Sequence, residues 1–392
     1  MLTLINGRII TPLEEIENGR LLIKDGKIQE IGQAENIPLP EESGVFDAGG
    51  KIICPGFIDL HLHGARGCDF TESEDPDSIR KIVDFHLAHG TTSFLPTLIS
   101  LPEQKLRSIL EHLPAAWMSA GYASSFLGIH LEGPFLNAVY RGVHNERYLC
   151  TPSVEKVKSL LNYSAGTVKM ITLAPELPYS KEVIRWLAQH QVVVSIGHSN
   201  ATYLEVEQAV REGLRHVTHT FNALRGLHQR EPAATGAALD MESLSADIIA
   251  DGQHVHPMLM RLLWRQKGDG GVILITDASP VVGLPPGEYK LWGRAVRVDG
   301  DRVLTSDSEQ LAGSVVTLDR AIRIFQAATG CSLRQAIRLA TLNPATLLGL
   351  ESRKGLLAAG RDADLVIMDE QSLRVEMVMV GGKFLSGKFL KG

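Results

Sequence analysis

Cysteine is scarce in this chain of 392 residues. The four cysteines lie far apart and form no C-x-x-C pair: Cys54, Cys68, Cys150 and Cys331. This spacing argues against a disulfide framework and against a zinc site built from thiolates. We therefore expect a protein of a reducing compartment, the cytoplasm.

Long apolar runs and basic clusters are missing as well. No apolar run reaches the roughly 20 residues of a membrane span, and the opening MLTLINGRII lacks the basic-then-apolar order of a signal peptide. The formal charge is −6 and the cationic residues form no cluster. Neither nucleic acid nor a membrane is therefore expected as a partner.

The remaining composition is that of a globular α/β protein. Hydrophobic residues make up 44% of the chain and charged residues 21%, with 37 glycines. A chain of this length has a prior of roughly two or three domains and can bury a sizeable core. Sequence patterns must then decide how the chain is divided.

The two ends of the chain share one pattern. Short alternating or β-branched runs are separated by turn signals at Asn6-Gly7, Asp25-Gly26 and Gly49-Gly50, and the same texture returns after residue 360. We read Leu2 to Ile5 and Arg8 to Ile10 as separate strands. The pattern predicts a small β-sandwich domain formed from residues 1–53 and 351–392.

Residues 54–350 alternate strand-like and helix-like segments. Eight strand candidates can be counted, which is the number in a (β/α)8 TIM-type barrel. They are the run into Asp59, Gly90 to Pro96, the run into Glu132, Thr167 to Ala174, Val192 to Ile196, His216 to His219, Ala246 to Ala250, and Val272 to Thr276.

Residues able to bind metal or transfer protons follow several of these strands. They are His61, His63, Glu132, His198, His219 and Asp277. Each falls at the C-terminal end of its strand, where barrel enzymes carry their chemistry. We therefore expect these side chains to converge on one site.

The histidine pair in PGFIDLHLHG has a simple geometric basis. His61 and His63 are two residues apart on an extended chain, so both imidazoles project from the same face. Asp59 shares that face and is either a ligand or a residue that orients one. His216 lies on the opposite strand face from His219 and is expected to serve packing.

The ligand types narrow the chemistry. Imidazoles and carboxylates without thiolates suit Zn, Fe, Mn or Co. Such a metal lowers the pKa of bound water to about 7, and one carboxylate outside the ligand set can take and return the proton. This set predicts metal-assisted hydrolysis of an amide or a related bond.

The motif PGFIDLHLHG, the barrel and the terminal β-domain resemble the amidohydrolase superfamily. The ordered strings HLEGPF, GHSNAT, THTFNAL, REP, ADGQHV, TDAS and LAGS are similar to the members that deacetylate amino-sugar phosphates. The resemblance implies that Glu132, His198 and His219 hold the main metal and that Asp277 is the catalytic acid and base. It also implies a second metal at His61 and His63, bridged by Glu132; whether that site is filled stays open.

The resemblance further implies the substrate contacts and the reaction. The contacts are Val143, His144, Asn222, Ala223, Arg230, His254, Leu311, Ala312 and Gly313. His144 is expected to stabilise the oxyanion, and Arg230 and His254 to meet the phosphate. The implied reaction converts N-acetylglucosamine 6-phosphate to glucosamine 6-phosphate and acetate. A homodimer, with His254 reaching a neighbour's site, is implied too.

Three alternatives remain at this stage. In the first, the substrate is the galactosamine epimer. In the second, the enzyme acts on N-acyl amino acids or cyclic amides, and a carboxylated Lys169 would favour the cyclic-amide group. In the third, the barrel has lost catalysis and serves as an assembly or binding protein. Retention of every expected ligand and of the acid disfavours the last.

The long segment Gly283 to Gln310, with a hairpin at Asp299-Gly300, is predicted to be a lid. Its Asp307 and Glu309 are predicted to be solvated.

Overall fold

The computed structural model describes residues 1–72 and 75–385 of the chain. Two eight-stranded sheets form most of its β structure, one parallel and one mixed. The last residues assigned by sequence to the terminal domain, 386–392, lie outside the described residues.

The parallel sheet is the predicted barrel. Its strands are β6 (Phe57–Leu62), β9 (Thr91–Leu98), β10 (Ile129–Glu132), β11 (Val168–Leu173), β12 (Val193–Ile196), β13 (His216–Val217), β14 (Ser245–Ile249) and β15 (Val272–Ile275). Neighbouring strands pair in chain order from β6 to β15, and a parallel bridge between Leu62 and Ala278 brings the two ends together. The predicted fold class is confirmed, with all eight strands in place.

Apolar runs explain why these segments form barrel strands. Every residue of β9, β10 and β15 is buried, because one face of each strand fills the barrel and the other is covered by helices. Runs without polar alternation are the pattern expected for parallel strands buried on both faces.

Asp59 ties the first barrel strand to the last. Its Oδ2 accepts a hydrogen bond of 2.6 Å from the Thr276 hydroxyl, and its Oδ1 accepts from the backbone N–H groups of His61 and Thr276, each at 3.3 Å. Burial raises the pKa of Asp59 to about 7. Asp59 therefore holds the backbone on which His61 sits.

Helices cover the outside of the barrel. They are α1 (Pro76–Leu87), α2 (Glu103–Ser119), α3 (Val154–Tyr163), α4 (Ser180–Gln189), α5 (Tyr203–Glu212), α6 (Ala233–Asp240), α7 (Pro257–Gly271), α8 (Leu318–Thr329), α9 (Leu333–Leu339) and α10 (Leu342–Leu347). Ser153 caps α3, since its hydroxyl accepts from the Lys156 N–H at 3.1 Å. Within the described ranges, no helix has both the length and the apolar character needed to cross a bilayer.

The mixed sheet joins both ends of the chain. Its strands are β1 (Leu2–Ile10), β2 (Glu15–Lys24), β3 (Lys27–Gln33), β4 (Gly44–Asp47), β5 (Ile52–Pro55), β19 (Leu365–Met368), β20 (Val375–Val380) and β21 (Lys383–Phe384). β19 pairs antiparallel with β5, and the sheet has its own apolar core, which includes Leu4, Ile28 and Met379. β5 crosses residue 53, and the exact division of the chain into domains stays a prediction.

One local prediction in this sheet is wrong. Asn6-Gly7 does not separate two strands; it forms an irregularity within the single strand β1, where Asn6 has φ 56°. The turn signal is absorbed there as a bulge. A Cβ at Gly7 would lie 2.5 Å from Cδ1 of the buried Ile53, so a larger residue there would displace that side chain.

Two small β elements sit beside the barrel mouth. β7 (Gly64–Ala65) pairs with β8 (Cys68–Asp69), and β16 (Gly287–Leu291), β17 (Arg294–Asp299) and β18 (Arg302–Thr305) form a three-stranded antiparallel sheet, the insertion sheet. The predicted hairpin at Asp299-Gly300 is confirmed, and Asp307 and Glu309 are exposed as expected.

Asp319 on α8 gives a prediction about acid stability. Burial raises the pKa of this carboxyl, but hydrogen bonds with His89 and Thr317 and the charge of Arg323 outweigh burial and lower the pKa to about 2. A carboxylate with a lowered folded-state pKa stabilises the fold above its unfolded pKa of about 4 and loses that contribution as the pH falls toward 2.

We expect Asp319→Asn to be less stable than wild type at pH 7 and the difference in the free energy of unfolding to shrink between pH 4 and 2, measured by urea unfolding. The control, Asp301→Asn, removes an exposed partner of Arg320 and should change stability less; a constant difference for Asp319→Asn across that range would contradict the assignment.

Candidate active site

The ends of five barrel strands deliver the six predicted chemical residues to one place. Glu132 closes β10, and His198, His219 and Asp277 each lie two residues beyond their strands. These last three have φ of 50°, 34° and 48°. Left-handed backbone is uncommon for residues other than glycine and is found where structure is strained for function.

Glu132 lies at the centre of one triad of metal-ligand type. Its Oε1 is 2.9 Å from Nε2 of His198 and 3.1 Å from Nε2 of His219, and the two Nε2 atoms are 3.0 Å apart. All three side chains are almost completely buried. Three ligand atoms therefore face one another in a space from which water is largely excluded.

A second triad shares the same carboxylate. Nε2 of His61 is 3.5 Å from Glu132 Oε1, Nε2 of His63 is 3.6 Å from Oε2, and the two imidazole nitrogens are 3.3 Å apart. Asp277 Oδ1 lies 3.2 Å from Nε2 of His63 and 3.6 Å from Nε2 of His61. Asp277 thus borders this second triad while standing outside the first.

Backbone carbonyls orient three of the imidazoles. Nδ1 of His198 is 2.9 Å from the carbonyl oxygen of Tyr140, and Nδ1 of His219 is 3.1 Å from that of Asn222. His63 has the same arrangement with Thr97, at 3.3 Å. A carbonyl only accepts, so each Nδ1 carries a proton, and each Nε2 is the ring nitrogen that faces the centre and is available to a metal ion.

Crowded lone pairs and carboxylates are the donor set of a divalent metal. Both triads, Glu132 with His198 and His219 and Glu132 with His61 and His63, bring their ligand atoms within 4.8 Å of one another. Nδ1 of His61 is buried without a hydrogen-bond partner. The residues present therefore fit one ion, or two that share Glu132.

The electrostatics of the cluster also favour a cation. Burial raises the pKa of Glu132, but His61 and His144 outweigh it and hold the pKa well below its usual range. Burial lowers the pKa of His219, yet the hydrogen bond and charge of Glu132 raise it to about 9, whereas burial prevails at His198 and lowers its pKa to about 4. The carboxylates thus stabilise positive charge at this point, which a metal ion supplies.

His144 points a hydrogen-bond donor at the same centre. The backbone N–H of Ser100 donates to its Nδ1 at 3.2 Å, so the ring proton is on Nε2, which lies 3.3 Å from Glu132 Oε2. Gly133 makes room for this contact: its φ is 96°, and a Cβ there would lie 2.4 Å from the Ser100 hydroxyl.

Asp247 is a residue that the sequence analysis missed. Its carboxylate is fully buried, accepts from the backbone N–H of His219, and lies 3.0 Å from Nε2 of His216. Asp247 thereby fixes the left-handed turn that presents His219. His216 packs in the core and also holds Asp247 in place. The available signal was an acid inside the apolar run ADII.

The predicted substrate contacts lie in loops at the same end of the barrel. His144 and Ala312 are buried and Arg230 is exposed. The other six are of intermediate exposure: Val143, Asn222, Ala223, His254, Leu311 and Gly313. Nδ1 of His254 bonds Asp251 Oδ2 at 2.6 Å. Their role as substrate contacts stays a prediction.

Lys169 does not reach the site. It lies near the start of β11, is exposed, and its Nζ donates to the carbonyl oxygen of Gly166 at 3.0 Å. A carboxylated lysine from this strand is therefore not available to bridge metals, which removes the marker for the cyclic-amide alternative.

Known proteins share this architecture. The model of the amidohydrolase family matches residues 52–385. An N-acetylglucosamine-6-phosphate deacetylase of Bos taurus is 39% identical over 350 residues, 86% of this chain and 84% of that protein. An N-acetylgalactosamine-6-phosphate deacetylase of Escherichia coli O157:H7 is 33% identical and covers 97% and 98%. A variant N-acetyl-D-glucosamine-6-phosphate deacetylase from Mycobacterium smegmatis, solved with N-acetyl-D-glucosamine-6-phosphate, superimposes with TM-score 0.90 at 30% identity over 98% of both chains.

Metal content tests the shared carboxylate. We expect Glu132→Ala to retain no divalent ion through gel filtration, because both triads lose their common ligand, whereas His63→Ala should keep the ion at His198 and His219. Elemental analysis after loading with Zn²⁺ measures both. His190→Ala, which removes an exposed histidine of the α4 terminus, is the control and should match wild type. Full metal content in Glu132→Ala would refute the shared-ligand arrangement.

Proposed function

Because the chain belongs to the amidohydrolase family, we propose that it hydrolyses the N-acetyl group of N-acetylglucosamine 6-phosphate, giving glucosamine 6-phosphate and acetate. The observation that carries the proposal is the buried cluster of four imidazoles around Glu132, with Asp277 beside it. The substrate class is suggested by relatives that match most of the chain and are N-acetylglucosamine-6-phosphate deacetylases.

The metal ligands are proposed to be Glu132, His198 and His219, joined by His61 and His63 if a second ion binds. Zn, Fe, Mn or Co suits this set. A divalent ion bound there supplies Lewis acidity, which polarises the amide carbonyl and lowers the pKa of water. The remaining steps belong to side chains of the protein.

Asp277 is proposed to be the general base and then the general acid. Its position is fixed by its backbone, since its N–H donates to the His61 carbonyl at 2.8 Å and its carbonyl accepts from the Ser314 N–H at 2.9 Å. Burial raises the pKa of Asp277, but His61 and His63 outweigh it and lower the pKa, so the carboxylate is ionised and able to accept a proton from water. It then returns the proton to the departing amine.

His144 is proposed to stabilise the oxyanion. Its Nε2–H faces the cluster, and its ring is held from behind by Ser100. A donor that is fixed before the reaction stabilises charge developing on the carbonyl oxygen without reorganisation. Arg230 and His254 are proposed to bind the phosphate, where charged donors form strong hydrogen bonds.

A homodimer is proposed from the surface around the barrel mouth. Loops and helix starts that follow five successive strands, β10 to β14, each expose a large apolar side chain: Val139, Tyr179, Leu204, Leu227 and Met258. Exposed apolar side chains that form one patch mark protein–protein contacts, and a patch formed by these five is part of the proposal. Arg230 and His254 lie in the same loops, which suits contacts made across a subunit boundary.

Acetate release on a panel of substrates tests the function. We expect N-acetylglucosamine 6-phosphate to be turned over faster than N-acetylgalactosamine 6-phosphate, and an N-acetyl amino acid not to be turned over. The galactosamine epimer is the second candidate, because one relative of similar length carries that name. A metal-loaded wild-type protein that released no acetate from either sugar phosphate would reject the proposal.

Asp277→Asn separates catalysis from metal binding. We expect this variant to keep its metal and to lose turnover by roughly 10²–10⁴-fold, because the side-chain amide of asparagine cannot accept and return the proton. Steady-state acetate release and elemental analysis on the same sample measure both quantities. Normal turnover would remove Asp277 from its role.

Leu227→Asp tests the proposed dimer. Placing a charge at one of the five exposed apolar side chains should shift the protein from dimer to monomer in light scattering after gel filtration. Leu13→Asp, a change at an equally exposed leucine of the terminal sheet region, is the matched control and should leave the mass unchanged. A monomeric wild type would contradict the proposal.

A further inference from the structure

The insertion sheet turns at an unusual pair of residues. Trp292 and Gly293 connect β16 to β17, where Leu291 pairs with Arg294, and their φ values are 51° and 82°. Two-residue hairpin turns with positive φ at both positions normally use Asn-Gly or Asp-Gly. A tryptophan at the first position is strained, and strain of this kind is retained where the side chain has a task.

The indole of Trp292 reaches the metal-ligand cluster. Its ring lies 5.2 Å from that of His63, centroid to centroid, at an interplanar angle of 77°. Its Nε1–H donates to Oδ2 of Asp69 at 2.7 Å. The turn therefore places a large flat side chain against a residue of the second triad.

Asp69 is itself rigidly held. It is buried, and its Oδ1 accepts from both the N–H and the hydroxyl of Thr71, at 2.7 and 2.6 Å. The next residue, Phe70, donates its N–H to the carbonyl oxygen of His63 at 3.0 Å. Trp292 is thus anchored through Asp69 to the same backbone that carries His63.

The insertion sheet also borders the proposed sugar site. Its small apolar core includes Ala312, and Val143 packs against that core together with Trp292. The proposed substrate contacts come from loops after β10, β13, β14 and β15. None of them comes from the loop after β6, where His63 and Asp69 lie, and Trp292 covers that side.

We propose that Trp292 is the wall against which the N-acyl group of the substrate packs, and that it restricts this group to acetyl. The inference rests on the proposed function. The sugar is held from the other loops and the amide carbonyl must lie at the Glu132 cluster, so the acyl methyl is directed to the remaining side. An extra methylene there meets the indole, and one methylene in an apolar pocket changes specificity roughly 10–200-fold.

Acyl-chain selectivity of a shortened wall tests this role. The quantity is the ratio of kcat/KM for N-propionyl- to N-acetylglucosamine 6-phosphate. We expect Trp292→Ala to raise the ratio at least about tenfold, and Trp292→Phe, which keeps a ring but loses the donor to Asp69, to raise it less. Trp292→Leu decides the same question if the alanine variant does not fold.

Tyr289→Ala is the matched control on the same sheet. Tyr289 packs against the insertion-sheet core and donates its hydroxyl to the Pro285 carbonyl, so its removal loosens the sheet without opening the wall. We expect its ratio to stay that of wild type. An unchanged ratio in Trp292→Ala overturns the assignment of Trp292, and so does an equal rise in Tyr289→Ala. In either case, acetate release by the wild type still supports the proposed function. A wild type inert toward both substrates overturns the function and this inference with it.

Discussion

One buried carboxylate, Glu132, determines how the barrel mouth is organised. It is shared between two pairs of imidazoles, with nitrogen–oxygen distances of 2.9 to 3.6 Å. Charge buried this deeply is costly unless it is compensated. The backbone positions of His198, His219 and Asp277, all with positive φ, are best understood as the cost of that convergence.

The surroundings of the cluster are built to keep it in place. Backbone carbonyls of Thr97, Tyr140 and Asn222 fix the imidazole protons on the outer nitrogens. Asp59 holds the strand under His61, and Asp247 holds the turn under His219. Each supporting group acts on the backbone or the far side of a ring, which leaves the inner nitrogens free to bind.

The sequence predicted the parts of this arrangement that depend on periodicity. Apolar runs located all eight barrel strands, and the positions of residues such as Glu132 and Asp277 at strand ends followed from them. The Asn6-Gly7 signal failed because a bulge and a turn use the same backbone conformation, and only long-range pairing selects between them. Asp247 and Trp292 were missed because their contacts come from residues far away in the chain.

The pairing of β5 with β19 has a consequence for how the protein is made. β19 begins at Leu365, more than three hundred residues after β5, so the amino-terminal strands leave the ribosome long before their partner exists. Until then the edge of β5 has unpaired backbone groups that can bind other strands. The emerging chain is therefore exposed to aggregation through this edge while the barrel is being synthesised, until β19 has been translated and can pair with β5.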